Sequence, residues 1–254
     1  MFEERYIDKK FDKLRLDVLL VKLDIFDSRQ KSIAEIMSGN IFLNEIKTTK
    51  SGTIVRSGST LKVKLRQHNW VSRGGIKLEH VVKVLKLNIN NKTCVDIGAS
   101  TGGFTDVLLH YGAKKVFCFD VGYGQLAWKL RDNKKVINFE KFNARFLSHK
   151  DVSCDVDLVV CDVSFISVKK ILPSVFDILK NEGAALILIK PQFESEKKFV
   201  SKGGIIKDSK IHEKVCEDIK FSIIENFSVK TVKLIESPIK GQKGNKEFFI
   251  YFKV

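Results

Sequence analysis

The 254-residue chain is short of proline, of acidic side chains and of long apolar runs, and each shortage excludes a class of protein. Three prolines beside 44% hydrophobic residues argue against long disordered linkers and for a compact globule. The longest apolar run, Ala184 to Ile189, is far too short to cross a bilayer, and the N-terminal stretch lacks the apolar core of a secretion signal. We therefore expect a cytoplasmic protein without stable membrane association.

Cysteine is also sparse, and its placement predicts neither disulfides nor a metal centre. The five cysteines form no Cys-x-x-Cys pair, and four of them lie in or beside apolar runs. Buried, reduced thiols are the expected state. Because no cluster of histidine and cysteine has metal-ligand spacing, no metal is expected.

Positive charge is abundant. Lysine and arginine number 45 against 30 acidic residues, which gives a net charge of +15 and a pI near 9.5. A polyanion such as nucleic acid is the expected partner, although a lysine-rich genome would leave the same mark. Residues 1–66 hold 14 basic and 9 acidic side chains and are the more densely basic part.

A glycine-rich turn over residues 95–106, VDIGASTGGFTD, carries the strongest functional signal. An apolar strand runs into Gly98, Gly102 and Gly103, where backbone is open to a ligand, and Ser100 and Thr101 add hydroxyls at the start of a helix. The pattern indicates a nucleotide-type cofactor site, although such a turn can also serve close packing alone.

The spacing favours S-adenosylmethionine over a dinucleotide. Ser100 stands where a Gly-x-Gly-x-x-Gly motif needs its second glycine, so the cradle for a pyrophosphate is incomplete. A second strand ends at Asp120, 22 residues after Gly98, which is the distance at which an acid reaches ribose hydroxyls in nucleotide folds.

The chain divides into two predicted domains joined by a linker over 67–72. Residues 1–66 show two helical patterns, a stop at Gly39 and extended segments at 41–44 and 60–65. Residues 73–254 alternate strands with helices, which predicts an α/β fold with a doubly wound, mostly parallel sheet. Its seven predicted strands lie at 93–97, 115–120, 136–140, 156–162, 184–189, 229–236 and 248–253, and the last two form an antiparallel hairpin.

Charged residues stand where these strands meet the ligand-binding edge. Asp162 and Lys190 follow the fourth and fifth strands, Glu247 enters the last strand, and Lys77 lies on a helix before the first. Since ligands bind at the carboxyl ends of parallel strands, the four side chains are expected to converge.

Seven motifs resemble the TlyA family of ribosomal RNA 2'-O-methyltransferases, also called haemolysin-A-like proteins. They are VSRGGIKLEH, DIGASTGGFTD, DVGYGQLAWKLR, CDVSFIS, KPQFE, SKGGIIKD and SPIKGQKGNKEFF. The resemblance implies a Rossmann-like S-adenosylmethionine-dependent methyltransferase sheet of the FtsJ-like type. Its Lys-Asp-Lys-Glu tetrad falls on Lys77, Asp162, Lys190 and Glu247. The cofactor-binding residues it implies are Asp96, Gly98, Ala99, Ser100, Thr101, Gly103, Phe104, Asp120, Val121, Asn143 and Asp162.

The N-terminal segment carries Arg15-Leu16-Asp17, Ser28-Arg29, Gly39 and Asn44. In these features it is similar to a small α+β RNA-binding module named after a small-subunit ribosomal protein, the S-four domain. Asp24 and Glu45 stand where that module often has glycine. With the basic surface of the second domain, this similarity implies that ribosomal RNA or ribosomal subunits are the partner. The expected RNA-binding residues are Arg15, Ser28, Arg29, Lys31, Asn44, Arg73 and Lys202.

A ribose hydroxyl needs a base before it can attack a methyl group. Lysine serves where nearby positive charge and partial burial lower the pKa of an ammonium towards ~7 to 8. We expect Lys190 to be the base and Lys77 the cation beside it, with Asp162 and Glu247 orienting the two amines.

Three other functions remain open at the level of sequence. A nicotinamide-dependent oxidoreductase would share the fold and Asp120. A non-catalytic RNA-binding or ribosome-assembly factor would keep the fold without the chemistry. A membrane-damaging protein would follow the haemolysin name of the family.

Overall fold

Two compact units make up the chain, Met1–Asn69 and Trp70–Val254. The computed structural model describes residues 2–26, 28–64, 69–241 and 243–254. Leu65, at the end of a predicted strand, and residues 66–68, around the predicted boundary between the domains, lie outside the described residues.

The first unit combines two helices with short strands. Its elements are β1 (Phe2–Tyr6), β2 (Leu14–Arg15), α1 (Leu16–Lys22), α2 (Arg29–Met37), β3 (Ile41–Leu43), β4 (Ile46–Lys47), β5 (Ile54–Val55) and β6 (Thr60–Lys64). Within the described part of this unit, four strands form one sheet in the order β1-β6-β3-β4, and β2 pairs with β5. The apolar faces of both helices pack into one buried core, which contains Leu16, Leu19 and Ile36.

Two features of this unit differ from expectation or extend it. β1 pairs antiparallel with β6 although its sequence, FEERY, has the charge density of a solvated tail; long-range pairing with β6 decides its conformation. Asp24 and Glu45, in place of glycine, still adopt the left-handed conformation, with φ of 55° and 67°. Aspartate tolerates this region well, because its short polar side chain can bond locally.

The second unit alternates strands and helices. Its elements are α3 (Gly74–Val84), β7 (Thr93–Ile97), α4 (Gly103–His110), β8 (Lys115–Phe119), α5 (Trp128–Arg131), β9 (Val136–Phe139), α6 (His149–Val152), β10 (Val156–Cys161), α7 (Leu172–Ile178), β11 (Leu179–Ile189), α8 (Pro191–Glu194), α9 (Ser209–Asn226), β12 (Thr231–Glu236) and β13 (Phe248–Lys253). Short 3-10 helices lie at Lys9–Phe11 in the first unit and at Ala144–Phe146, Val168–Lys170 and Lys197–Phe199 in the second.

The sheet confirms the predicted α/β class. Among residues 69–241 and 243–254, seven strands follow the order β12-β13-β11-β10-β7-β8-β9. The pairs from β11 to β9 are parallel, whereas β13 runs antiparallel to both β11 and β12. The predicted terminal hairpin is therefore present, and its return strand lies beside β11.

Alternate side chains of a strand pack into two different cores, one on each face of the sheet. Val95 and Ile97 of β7 join one core with residues of α7 and α9, whereas Cys94 joins the other with residues of α3 and α4. All five cysteines are free, and burial raises the pKa of the Cys94 thiol to about 12. The doubly wound arrangement follows from strands that are apolar on both faces.

Two boundaries differ from the sequence prediction. β11 begins at Leu179 and not at Ala184, because Leu179 pairs with Val156 of β10, and residues 180–183 bulge before Ala184 pairs with Leu158. The predicted linker is shorter at its C-terminal end, since Trp70 is buried in the second unit and donates its indole N–H to Glu79 Oε2 at 3.0 Å. Val71 N likewise donates to Asp106 Oδ2.

Gly103 should prove to be a packing residue as well as part of the cofactor turn. A Cβ there would lie 2.9 Å from Gly75 N, where α4 meets α3, and 2.2 Å from Ser72 Oγ. Gly103→Val should therefore lower the free energy of unfolding by about 1–3 kcal/mol through overpacking. Thermal unfolding measures this, with Gly203→Ala as the control, because a Cβ at Gly203 would meet only Ser201 Oγ at 3.9 Å. Equal melting temperatures for the two variants would contradict the packing role.

Candidate active site

A cavity of about 800 Å³ opens at the carboxyl ends of β7, β10 and β11. The start of α3 and two loops, one before α9 and one before β13, complete its wall. Its lining includes all four tetrad residues and eight of the eleven expected cofactor residues: Asp96, Gly98, Ala99, Ser100, Thr101, Gly103, Phe104 and Asp162.

The glycine turn brings backbone to the cavity. Gly98 has φ of +79°, and a Cβ there would lie 2.6 Å from the backbone oxygen of Asp162. Gly102 has φ of +92°, and its Cβ would meet Leu130 Cδ1 at 2.3 Å. Each position therefore requires glycine for conformation and for space. Gly98 presses β7 against the end of β10, so the turn and Asp162 share one wall.

Asp96 lies at the bottom of this wall, with no exposed surface. Its Oδ2 accepts bonds from Thr105 N at 3.0 Å and from Thr105 Oγ1 at 2.6 Å, whereas Oδ1 has no hydrogen-bond partner among the described residues. Burial raises the pKa of Asp96 to about 7, although the bonds from Thr105 act in the opposite direction. A buried oxygen without a donor fits a ligand that carries N–H or O–H groups.

Three expected cofactor residues lie outside the cavity lining. Asp120 accepts bonds from Ser100 N at 2.8 Å and from Gly122 N at 2.7 Å, so its carboxylate braces the glycine turn. Val121 is 71% exposed, and the Asn143 side chain accepts a bond from Arg145 N at the start of a 3-10 helix. The structure thus gives Asp120 and Asn143 contacts with loop backbone.

The four tetrad residues form a continuous line of opposite charges. Lys77 Nζ donates to Glu247 Oε2 at 2.6 Å and lies 4.0 Å from Asp162 Oδ2. Lys190 Nζ lies 2.5 Å from Asp162 Oδ1. Their side chains are between 4% and 20% exposed, so every charge has a partner in a largely desolvated place. Such pairing is what makes buried charges tolerable.

Two glycines make close contacts near Lys77 and Glu247. A Cβ at Gly75 would lie 2.4 Å from Trp70 Cγ, so glycine at 75 lets α3, which contains Lys77, pack closely against the buried indole. A Cβ at Gly241 would lie 2.4 Å from Glu247 Oε1, so only glycine leaves room for this carboxylate. Asn245 accepts from Ile206 N and donates to Gly204 O, which ties the two loops of the wall together.

Sequence reasoning missed several of these residues. Ser164 accepts a bond from Lys190 Nζ at 2.8 Å, and Gln192 lines the cavity with its Oε1 buried. Glu194 binds Ser167 Oγ and Val168 N, and burial raises its pKa. The only signal for these residues was their place within the CDVSFIS and KPQFE motifs.

The expected RNA-binding residues fall in both units. Arg15 and Arg29 both contact Asp17, Ser28 caps α2 by accepting a bond from Lys31 N, and Asn44 Oδ1 accepts one from Thr60 N. In the second unit, Arg73 lines the cavity and donates to Lys240 O at 3.0 Å, and Lys202 is exposed on a loop. Ser28 and Asn44 therefore have structural contacts within their own unit.

Sequence comparison decides the family. A profile of the FtsJ-like methyltransferases matches residues 70–254. The chain belongs to this family. Hemolysin A of Brachyspira hyodysenteriae is 41% identical over 240 residues, which are 94% of this chain and 99% of that protein. The 16S/23S rRNA (cytidine-2'-O)-methyltransferase TlyA of Mycobacterium tuberculosis is 36% identical over 242 residues, or 95% of this chain and 90% of that protein. A solved structure of a Streptococcus thermophilus protein described as a hemolysin is 40% identical, covers 96% of this chain and 89% of its own, and has a TM-score of 0.71.

As an FtsJ-like methyltransferase, the chain is an S-adenosylmethionine-dependent enzyme, and the cavity fits that cofactor. The Gly98 backbone in the cavity wall and the unpaired Asp96 oxygen suit a ligand with amine and hydroxyl donors. In the described ranges, no group of three or more His, Cys, Asp or Glu side chains could hold a metal ion. No helix within those ranges is long and apolar enough to span a membrane.

Asp96 should make the FtsJ-like unit less stable as pH rises. Its folded pKa of about 7 lies above the ordinary 3.8, so the folded state binds its proton more tightly than the unfolded state does. Stability is therefore full below about pH 4 and falls as pH rises to about 7, by at most about 4 kcal/mol. Asp96→Asn removes this loss while keeping an oxygen for Thr105.

Thermal unfolding of the protein alone at pH 5 and pH 8 tests the sign. The melting temperature of the wild type should fall relative to that of Asp96→Asn between the two values. Parallel changes in both proteins would contradict the assignment.

Proposed function

We propose that the protein methylates the 2'-hydroxyl of a ribose in ribosomal RNA, within ribosomal subunits. The observation that carries this proposal is the line Glu247, Lys77, Asp162 and Lys190 beside the glycine turn. The M. tuberculosis relative is named for cytidine-2'-O transfer on 16S and 23S rRNA, which supports cytidine as the target nucleoside. We also propose that the enzyme works in the cytoplasm, where ribosomes are made.

The chain's own residues handle the proton and the alignment. S-adenosylmethionine supplies a methyl group already activated by a sulfonium, and Gly98, Ser100 and Asp96 would hold it. Lys190 takes the proton from the ribose hydroxyl as the hydroxyl oxygen bonds to the methyl carbon and the bond from that carbon to the sulfonium sulfur breaks. The surrounding wall fixes the direction of approach, which can lower the barrier by up to ~7 to 11 kcal/mol.

Lys190 can accept this proton only as a neutral amine. Lys190 Nζ lies 2.5 Å from Asp162 Oδ1, and Lys77 Nζ lies 4.0 Å from the other oxygen of the same carboxylate, so Asp162 holds both amines in place. Ser164 Oγ, 2.8 Å from Lys190 Nζ, fixes the direction of the amine.

The other functions considered from sequence explain less of this geometry. The family match identifies a methyltransferase and not a nicotinamide-dependent oxidoreductase. A non-catalytic RNA-binding factor has no use for two lysines held by buried carboxylates. Lysis of a membrane, which the name of the B. hyodysenteriae relative suggests, requires neither the line of charges nor the glycine turn.

Lys190→Ala should abolish methyl transfer with little change in the binding of cofactor or RNA, because the lost interaction belongs to the transition state. Lys190→Arg should fail too, since a guanidinium keeps its charge and cannot take the proton. Transfer of radioactive methyl to ribosomal subunits measures the rate, and calorimetry measures cofactor binding.

Lys197→Ala and Lys197→Arg are the controls, because this exposed lysine lies just beyond α8. Substantial turnover by Lys190→Arg would rule out the role of base.

The first unit should supply docking and not chemistry. A chain of residues 70–254 retains both cores of the sheet and the cavity, so it should bind cofactor with unchanged affinity. It should methylate ribosomal subunits at least about tenfold more slowly, and the RNA affinity of the full chain should fall steeply with salt. Equal rates for the truncated and full chains would remove the docking role.

A further inference from the structure

Asp17, in the first unit, is a carboxylate with no exposed surface. Its Oδ1 accepts bonds from Arg15 Nε at 3.1 Å and from Val18 N at 3.0 Å. Its Oδ2 accepts bonds from Arg15 Nη2 at 3.0 Å and from Arg29 Nε at 2.9 Å. One buried side chain therefore joins the start of α1 to the start of α2 through two guanidinium groups.

The two arginines face solvent with their other edges. The Arg15 side chain is 47% exposed and the Arg29 side chain 57% exposed, although both contact a fully buried acid. Because Arg15 Nη2 and Arg29 Nε bind the same oxygen, the two guanidiniums lie side by side. Gly52 lies next to Arg15, and a Cβ there would come within 3.2 Å of Arg15 Nη1. Glycine at 52 therefore leaves that edge of Arg15 uncovered by a side chain.

Ionised Asp17 suits this arrangement. The hydrogen bonds from Arg15, and then those from Arg29, hold the pKa of Asp17 below its ordinary value, although burial acts in the opposite direction. The three groups together carry one net positive charge. Long cationic side chains lose conformational entropy when they bind a ligand. A carboxylate that already fixes two arginines lowers this entropy cost, because the arginines are ordered before the ligand binds.

We propose that Asp17 is a positioning residue for RNA docking, which holds the free edges of Arg15 and Arg29 ready for phosphate oxygens of one stretch of RNA backbone. A guanidinium presents parallel N–H groups that match two oxygens of a phosphate, and fixed forks bind better than mobile ones. Contacts of this kind set the position of a protein on RNA and do not read bases. The inference rests on the proposed action on ribosomal RNA.

Asp17→Asn gives the proposal a test of sign. The substitution raises the net charge from +15 to +16, so attraction by charge alone would tighten RNA binding. The positioning role predicts weaker binding, by about tenfold, because both arginines lose their common anchor. The slope of log Kd against log salt should also decrease by about one for each arginine that no longer contacts a phosphate.

The experiment uses the full chain and deproteinised ribosomal RNA in a filter-binding series over salt. Glu3→Gln is the matched control, because Glu3 pairs with Arg5 at 2.6 Å in the same unit and both side chains are partly exposed. It adds the same charge without touching the buried carboxylate, so affinity should stay equal or rise. Arg15→Lys and Arg29→Lys keep the charge but lose the fork, and each should weaken binding.

The effects of Asp17→Asn and Arg15→Gln should not add when combined, because both disturb one unit of recognition. Additive losses, or Asp17→Asn binding as tightly as Glu3→Gln, would overturn the proposal. If Asp17→Asn unfolds the first unit, the two lysine variants decide. Wild-type affinity for RNA in folded Arg15→Lys and Arg29→Lys proteins overturns the proposal, and weakened affinity supports it.

Methyl transfer by the wild type distinguishes failure of the proposed function from failure of the role proposed for Asp17. A wild type that neither binds nor methylates ribosomal RNA contradicts the proposed function, and the positioning role fails with it. A wild type that does both, beside an Asp17→Asn variant of equal affinity, contradicts only the role of Asp17.

Discussion

The contact between Lys77 and Glu247 joins side chains 170 residues apart, and the rest of the site depends on it. A lysine and a carboxylate this deeply buried compensate each other's lost hydration, whereas either one alone would lose hydration without compensation. Lys77 comes from a helix before the sheet and Glu247 from the start of its last strand. The antiparallel insertion of β13 beside β11 brings Glu247 to the edge where β10 and β11 deliver Asp162 and Lys190. The pairing of Glu247 with Lys77 therefore depends on the position of β13 in the sheet.

Missing side chains are as necessary to this site as the charged ones. Gly98 lets β7 approach the backbone of Asp162, and Gly241 leaves the space that Glu247 Oε1 needs. At both places the neighbour of the glycine belongs to the tetrad. A methyl group would meet the backbone oxygen of Asp162 at position 98 and the carboxylate of Glu247 at position 241, and charge pairing weakens when a tetrad residue is displaced. The glycine turn thus shapes the line of four charges as well as the neighbouring wall of the cavity.

The sequence predicts the second unit better than the first for a physical reason. Strands such as β7 and β10 are apolar on both faces, so the mostly parallel sheet and the terminal hairpin could be inferred, whereas the order of the strands could not. The tetrad was found through the motifs and through its place at strand ends. β1 was missed because pairing with β6, and not its own composition, makes it extended. Asp120 lies at the distance from Gly98 that is typical of a ribose-binding acid, and its carboxylate accepts bonds from the backbone of Ser100 and Gly122. These backbone contacts depend on the geometry of the loops, which cannot be inferred from the spacing of residues.

Charge has different uses inside and outside the cavity. The tetrad contains two lysines and two acids, so it is neutral as a group and exerts little attraction on RNA at a distance. Attraction must come from the excess of +15 carried by the remaining surface, which acts over roughly a Debye length, about 8 Å at physiological salt. Because phosphates are alike along any RNA, such attraction cannot select one ribose. The position of the protein on the RNA must be set by groups held in fixed places, which is the role proposed for Asp17 in a unit that already has ample positive charge.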